Sequence, residues 1–272
     1  MQKSKDKVLI PLFEDKRTTE LDIIAIQEPW QNPFQPTTYN QREGDFYLAF
    51  PPQGGRACFY INKRLDLNKW SVEFLSPDMC ILHIIISDIP LSIHNLYSQP
   101  PGSLRTIDYN SPIPLLDTAL TQPGEHLVLG DFNLHHPLWS GVQDPIQHDT
   151  ADSLLTKAQL ANLQLLTPKG TITWGARGSR STIDLAFGSE WAINRLLHCE
   201  LRLDLDHRSD HFPIETTLAI EPVLAPIRQR RSWKSLDKSM VAAGAQGLRQ
   251  PPTGILSVNS IEVYISYLMS FI

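Results

Sequence analysis

The stretch HLVLGDFNLHHPLWSG, residues 126–141, joins a short apolar run to a group of polar side chains. The apolar run, interrupted by Gly130, is typical of a buried strand that ends in polar residues. Because side chains alternate along an extended chain, Asp131 and Asn133 are expected to point to one side and Phe132 into the core. A glycine directly before them allows another group to approach the backbone closely. The stretch therefore predicts a carboxylate and an amide presented together where a core strand ends.

Three other apolar runs also carry acids or a histidine at their ends. A strand predicted at Asp22–Gln27 is followed directly by Glu28, and Asp184 lies within the apolar run of another. Asp210 and His211 stand immediately before a further predicted strand. A single charged residue at a strand end commonly marks only the end of the strand. The recurrence of acids and a histidine at several strand ends favours a functional site that these residues share.

These residue types point to phosphoester chemistry at a metal ion. Carboxylates that converge without cations repel one another unless a metal lies among them. Oxygen ligands without a histidine or cysteine cluster at ligand spacing favour Mg²⁺ over zinc. Such a metal with one histidine can neutralise a phosphoryl group, activate water and assist the leaving oxygen. Since a buried, unpaired carboxylate is costly, Asp184 needs a partner, and it is the best candidate to orient His211.

The remaining sequence predicts a mixed α/β domain. Helices with one apolar face are expected at residues 5–14, 113–120 and 151–164, the last capped by Asp149 or Thr150. Short strands separated by turn signals are expected at residues 56–63, 71–75, 80–87, 91–97, 171–174, 181–187 and 199–205. Such closely spaced strands favour an antiparallel or mixed sheet. Tyr97 ends one of them and is a candidate site residue, although a tyrosine there more often serves packing.

The composition favours a globular, intracellular protein. The chain has 272 residues, of which 42% are hydrophobic, enough for one large α/β domain or two small ones. Its three cysteines show no paired spacing and lie in apolar surroundings, so we expect reduced core residues. No apolar run is long enough for a membrane span, and the polar N-terminus is unlike a signal peptide.

Charge is divided unevenly along the chain. The formal net charge is −5, to which residues 222–272 contribute +4 and residues 1–221 contribute −9. An acidic body is compatible with acids around a metal, although a solvated acidic surface explains most of it. Residues 222–252 are interpreted as a basic, proline-containing linker, and the apolar segment that follows them needs a partner to cover it.

Five short motifs occur in an order that resembles a known superfamily. They are QEP at 27–29, HNLY at 94–97, GDFN at 130–133, STIDLAF at 181–187 and SDH at 209–211. Together they resemble the endonuclease/exonuclease/phosphatase superfamily, which includes DNase I and the abasic-site endonucleases. The resemblance covers residues 1–221. HHPLW after GDFN, together with the basic tail, is similar to the endonuclease domain of LINE-type retrotransposon polyproteins, which precedes a reverse transcriptase domain.

The resemblance implies a fold, the residues that would bind the metal and the residues that would bind water and phosphate. The fold would be a four-layer α/β sandwich with two facing mixed sheets and the site at one end. Glu28 would bind Mg²⁺, for which Mn²⁺ could substitute, with Asp210 as a second acid beside the metal. Asp131 and Asn133 would position or activate the attacking water and hold the phosphate.

The resemblance also implies contacts with a DNA substrate. His211, oriented by Asp184, would contact the scissile phosphate and stabilise its charge, and Tyr97 would hydrogen-bond it. Three residues on one loop would lie near the DNA backbone: Trp174, Arg177 and Arg180. That this is an ordinary flexible loop without a role in DNA binding is an equal alternative. His135 and His136 are expected to shape a loop. A protein that acts on chromosomal DNA would work in the nucleus.

One departure from the superfamily concerns its first strand. Members open with a strand that carries a site asparagine, and this chain begins at Met1 where that strand should already have ended. We therefore expect the strand to be missing and the backbone of its neighbour to be unpaired. Two alternatives to a DNA-nicking endonuclease remain: a phosphatase or phospholipid phosphodiesterase of the same fold, and an inactive remnant that only binds nucleic acid.

Overall fold

The computed structural model describes residues 5–41, 44–100, 111–141, 147–205, 208–221 and 224–225. Residues 1–226 form one compact unit and residues 227–272 a second. The second unit contains most of the expected linker and the apolar C-terminal segment, and it lies outside the described residues. Of the expected linker, Leu224 forms a β-bridge with Leu65, and Ala225 donates a backbone hydrogen bond to Arg64.

Thirteen strands and four α-helices occur in the described residues. The strands are β1 (Ile23–Gln27), β2 (Phe46–Ala49), β3 (Ala57–Asn62), β4 (Trp70–Ser76), β5 (Met79–Ile86), β6 (Ile89–Tyr97), β7 (Glu125–Asp131), β8 (Gln164–Leu165), β9 (Trp174–Ala176), β10 (Ser179–Ser181), β11 (Asp184–Gly188), β12 (Leu196–Leu201) and β13 (Ile214–Leu218). The helices are α1 (Ile10–Glu14), which follows a π-helical turn at Lys5–Leu9, α2 (Leu116–Ala119), α3 (Asp149–Leu160) and α4 (Glu190–Ile193).

The strands build two facing sheet layers. One layer is a six-stranded sheet in the order β4-β5-β6-β7-β11-β8, in which β6 and β7 are parallel and the other pairs are antiparallel. The other layer consists of a three-stranded sheet, β1-β3-β2, and the pair β12-β13. The hairpin β9-β10 stands apart from both. This is the mixed α/β arrangement with two facing sheets that the superfamily resemblance implies.

Three apolar clusters hold the layers together. The first lies between the two sheet layers and joins Phe59 and Ile61 of β3 to Leu82 of β5 and Ile93 of β6. The second packs α2 and α3 against the outer face of the six-stranded sheet, and it includes Trp139, which is fully buried. The third packs the helical segment 5–14 against the three-stranded sheet. Helices therefore cover both sheet layers, which gives four layers.

Three secondary-structure predictions are wrong at specific residues. The helix predicted at 151–164 ends at Leu160, because Asn162 adopts a left-handed conformation with φ 53° that stops it. Asp149 is the first helical residue, and His148 at the N-cap makes no side-chain capping bond. The strand predicted at 171–174 begins only at Trp174. The Thr173 backbone bonds to Ser181 and Phe212, and its hydroxyl accepts hydrogen bonds from the amides of residues 183 and 184.

The cysteines are core residues, as the sequence analysis expects. All three cysteines are buried and free, and burial raises the pKa of the Cys58 thiol. Among the described helices, none has the length and apolar character that a membrane crossing requires.

Two histidines are buried side by side in the six-stranded sheet. Nε2 of His94 lies 3.0 Å from Nδ1 of His126, and the His94 side chain is fully buried. Burial, followed by the charge that His126 can carry, lowers the pKa of His94 to about 3. Burial also lowers the pKa of His126. Both imidazoles are therefore neutral in the folded protein at neutral pH.

This pair predicts a loss of stability in acid. In the unfolded chain a histidine has a pKa of about 6.5, so it binds protons that the folded protein excludes. The contribution of His94 is fully present above about pH 6.5 and falls as the pH drops toward 3, by up to about 1.4 kcal/mol per pH unit. We expect His94→Leu to flatten the pH dependence of the unfolding free energy between pH 6 and 4, measured by urea denaturation. His198→Gln, which removes a partly exposed imidazole, is the control, and equal slopes for all three proteins would contradict the prediction.

Candidate active site

Asp131, Asp184 and His211 come together at one end of the six-stranded sheet. The antiparallel register of β7 and β11 places Asp131 directly opposite Asp184. Nδ1 of His211 lies 3.0 and 3.1 Å from the two carboxylate oxygens of Asp184, and its Nε2 lies 3.8 Å from Asp131. Ligand atoms of all three residues lie within 4.8 Å of one another, a spacing that could hold a metal ion. Asp184 and His211, which the sequence analysis expects to interact, are thus in contact.

The hairpin β9-β10 fixes the backbone that carries His211. Trp174 of β9 forms an antiparallel bridge with His211, and the amide of Gly175 donates to the carbonyl of Asp210 over 2.9 Å. On the other side, the amide of Phe212 donates to the carbonyl of Thr173 over 2.8 Å. These backbone bonds hold the imidazole against Asp184 without using its side-chain nitrogens.

Electrostatics in this cluster depend on burial. Asp131 is only 2% exposed, and burial followed by the charge of Asp184 raises its pKa. Burial opposes protonation of His211, but its hydrogen bond to Asp184 and the charges of both acids outweigh that effect and raise its pKa. The cluster therefore combines a carboxylate that accepts a proton readily with an imidazole whose charged form is favoured.

Asn133 is held by two hydrogen bonds immediately after β7. It has a left-handed backbone with φ 51°, which asparagine tolerates better than most residues. Its backbone N–H donates to Oδ1 of Asp131 over 3.1 Å, and its side-chain Nδ2 donates to the carbonyl of Ser98 over 2.9 Å. Asp131 and Asn133 thus form one hydrogen-bonded unit, as their spacing in the sequence suggests.

Gly130 brings the neighbouring strand close to this unit. A Cβ atom at this position, where φ is 151°, would lie 2.0 Å from the carbonyl oxygen of Leu96. Only glycine permits this approach. It allows β6 and β7 to stay in register up to their last residues, so that Tyr97 lies beside Asp131.

Tyr97 connects this unit to Glu28. The Tyr97 side chain is hydrogen-bonded to Glu28, and its pKa is raised by burial first and then by the charges of Glu28 and Asp131. Glu28 has a left-handed backbone with φ 48°, a strained conformation for a glutamate, and its amide donates to the carbonyl of Arg56 over 2.7 Å. Strain of this kind concentrates at functional sites.

Arg56 and Asp78 support Tyr97 and Glu28, and sequence reasoning missed them. The guanidinium donates to both oxygens of Asp78, with Nε–Oδ1 and Nη2–Oδ2 distances of 2.6 and 2.5 Å, and it lies 5.0 Å from the centre of the Tyr97 ring. Asp78 also accepts the backbone hydrogen bond of Tyr97. No local signal marks this pair, because the two residues stand 22 positions apart.

Asp210 offers a carboxylate oxygen that suits a cation. Among the described residues, its buried Oδ1 has no hydrogen-bond partner. An unpaired buried acceptor is costly, and a bound cation would remove that cost. The two sequence candidates for the metal, Glu28 and Asp210, are not members of the described three-residue cluster, which consists of Asp131, Asp184 and His211.

The remaining candidates lie on the hairpin. Trp174 is half-buried beside His211, whereas Arg177 and Arg180 are exposed. Arg177 and Gly178 form the turn, with φ of 50° and 85°. The hairpin therefore presents two cations to solvent next to the acid–histidine cluster.

Comparisons with known proteins identify a family and a fold that this chain resembles. Residues 91–215 match a family described as endonuclease-reverse transcriptase. The endonuclease domain of TRAS1, a telomere-specific non-LTR retrotransposon, is 16% identical, with a TM-score of 0.60 over 81% of this chain and 95% of that chain. The catalytic domain of Xenopus laevis APE2 is 14% identical, with a TM-score of 0.62 over 82% and 91%. A 3′ phosphatase from Neisseria, NExo, is 15% identical, with a TM-score of 0.55 over 77% and 92%.

These identities show a shared fold. A comparison with curated protein sequences gives no match. The family match and the structural neighbours confirm the resemblance to the endonuclease/exonuclease/phosphatase superfamily and its DNase I-like fold.

The Arg56–Asp78 pair predicts a specific pattern of stability changes. Arg56→Met leaves the Asp78 carboxylate, whose side chain is 8% exposed, without its partner, and we expect a loss of about 3 kcal/mol in unfolding free energy. The double variant Arg56→Met/Asp78→Leu replaces both charges by apolar groups and should recover most of that loss. Urea denaturation of the wild type, of Arg56→Met, of Asp78→Leu and of the double variant measures the difference. A double variant as unstable as the sum of the two single variants would show that the pair is not electrostatically coupled.

Proposed function

We propose that this chain, which has the nuclease and phosphodiesterase fold of the endonuclease/exonuclease/phosphatase superfamily, is a metal-dependent DNA endonuclease domain that nicks one strand. The observation that carries the proposal is the contact of His211 with Asp184 and its approach to Asp131 at the end of β7 and β11. Acids and a histidine in this arrangement suit hydrolysis of a phosphodiester. Similarity to a retrotransposon endonuclease domain favours DNA as the substrate.

His211 and Asp184 would stabilise the transition state. Asp184 holds the imidazole through Nδ1, so Nε2 remains available to donate to a phosphoryl oxygen. Because Asp184 and Asp131 raise the pKa of His211, they favour a positive charge on the ring where negative charge would develop on the phosphate. Tyr97 would supply a further hydrogen bond to the same group.

Asp131 and Asn133 would activate and position the attacking water. The raised pKa of Asp131 makes its carboxylate a stronger base than an exposed aspartate, which suits removal of a proton from water. Asn133 uses one of its two amide hydrogens on Ser98, which leaves the other for the phosphate or the water. Their mutual hydrogen bond would keep the two groups aligned.

Glu28 and Asp210 would hold Mg²⁺, with Mn²⁺ as a substitute. The donor set fits, because both side chains offer the oxygen ligands that Mg²⁺ prefers, and the buried Oδ1 of Asp210 has no described hydrogen-bond partner. When bound, the ion would neutralise charge on the phosphoryl group.

The hairpin β9-β10 would contact the DNA backbone. Arg177 and Arg180 are exposed cations beside the site, and Trp174 offers an aromatic face next to His211. In a parent polyprotein the domain would act together with a reverse transcriptase domain, and its site of action would be the nucleus.

The proposal predicts nicking of supercoiled plasmid in Mg²⁺ or Mn²⁺, abolished by EDTA. We expect His211→Ala to lower the rate by about 10²- to 10⁴-fold, since it removes the group that stabilises the developing charge. Asp184→Asn should lower it by a similar factor. His198→Gln, which lies outside the site, should retain full activity. Plasmid that stays intact with either metal would overturn the proposal, and phosphate release from small esters without nicking would indicate a phosphatase.

A second prediction concerns the hairpin. Arg177→Ala and Arg180→Ala should each weaken DNA binding and reduce the slope of log K against log salt by about 1, because each removes one phosphate contact. The turnover rate at saturating DNA should change little. Fluorescence anisotropy with labelled duplex at several salt concentrations measures the slope, and Lys69→Ala, an exposed lysine before β4, is the matched control. Equal effects of all three substitutions would mean that the hairpin has no special role.

A further inference from the structure

Two strand edges face the same cavity in the sheet layer that contains β1. Among the described strands, β1 pairs only with β3, and β13 pairs only with β12. A cavity of about 640 Å³ is lined by all residues of β1 and of β13. The three-stranded sheet and the strand pair are therefore separated by this cavity.

The backbone groups along both edges point into the cavity. Backbone hydrogen bonds join residue 22 to 62 and residue 28 to 56, so the even-numbered residues of β1 face β3. The N–H and C=O groups of Ile23, Ala25 and Gln27 consequently face away from β3. In β13, the bond between residues 202 and 213 places the odd-numbered residues toward β12, so that Ile214 and Thr216 face the cavity.

The cavity walls are apolar on both faces. Ile93 and Leu127 of the six-stranded sheet line one face, and Val8 and Leu12 of the helical segment line the other. A strand between β1 and β13 would thus have apolar surroundings above and below it, which suits a continuous apolar run. The cavity also reaches Asp184 and His211, so one end of such a strand would lie at the site.

The two edges run in opposite directions. β1 runs toward Glu28, which is joined through Tyr97 to the site, whereas β13 runs away from His211. A strand inserted between them is therefore parallel to one neighbour and antiparallel to the other. Within the described part of the chain these backbone groups have no strand partner on two sides, which selects a β-strand over a small apolar ligand that would leave them unsatisfied.

We infer that this cavity is a binding slot for an extended apolar peptide segment of about five residues, which completes a mixed sheet with β1 on one side and β13 on the other. The unpaired edges supply the backbone hydrogen bonds, and the apolar walls select the side chains. The inference does not depend on the proposed nuclease activity.

The test is binding of a fluorescent peptide with about five consecutive valine and isoleucine residues between paired lysines. We expect saturable binding by fluorescence anisotropy and slower hydrogen exchange at the amides of Ile23, Ala25 and Thr216 in the complex. Ala25→Pro removes an N–H that faces the slot but leaves the pairing with β3 intact, and should weaken binding about fivefold.

Leu48→Pro provides the matched control. Residue 45 bonds to residue 63, so the amide of Leu48 points outward at the opposite edge of the same three-stranded sheet. This variant should bind the peptide like the wild type. A peptide with N-methyl groups on alternate residues tests the same hydrogen bonds without changing the protein, and keeps the test valid if Ala25→Pro fails to fold.

Three results would overturn the inference. The first is no binding of the unmodified peptide, and the second is equal weakening by Ala25→Pro and Leu48→Pro together with equal affinity of the N-methylated peptide. The third is concentration-dependent protection of β1 and β13 without peptide, accompanied by dimers in light scattering, which would identify a second copy of the chain as the occupant.

Discussion

The register between β7 and β11 is the constraint on which the site depends. It sets Asp131 opposite Asp184 in a region from which water is largely excluded, and two carboxylates there cannot both remain charged without a cation. The two acids raise the pKa of His211 and so favour a positive charge at this point. A shift of one residue in the pairing would turn one of the acids to the other face of the sheet and leave the imidazole without its support.

The other site groups are held mainly through the backbone. The β9-β10 hairpin holds the segment of His211, the carbonyl of Arg56 holds Glu28, and Ser98 holds Asn133. Such contacts tolerate changes of side chain around the site, which is consistent with a fold that is shared at identities of 14–16%. The arrangement of strands therefore carries more of the site's geometry than the identity of its surroundings does.

Sequence reasoning succeeded where the signal was local. Apolar runs ending in polar residues located β1, β7 and β11, and the cost of burying Asp184 alone pointed to its contact with His211. It failed where a distant group decides the structure. The Thr173 hydroxyl binds two amides ten and eleven residues away, and the Arg56 side chain binds Asp78, 22 residues away. The short strand β2 also went unpredicted, since four residues with mixed burial leave a weak periodic signal.

The left-handed backbone of Glu28 has a consequence for how such a domain changes over time. Holding a glutamate in this conformation costs about 1–3 kcal/mol, whereas glycine adopts it without strain. In a gene copy that no longer depends on catalysis, replacement of this residue by glycine would therefore leave a more stable protein. Position 28 is thus a point at which the proposed metal-binding role and the stability of the backbone oppose each other.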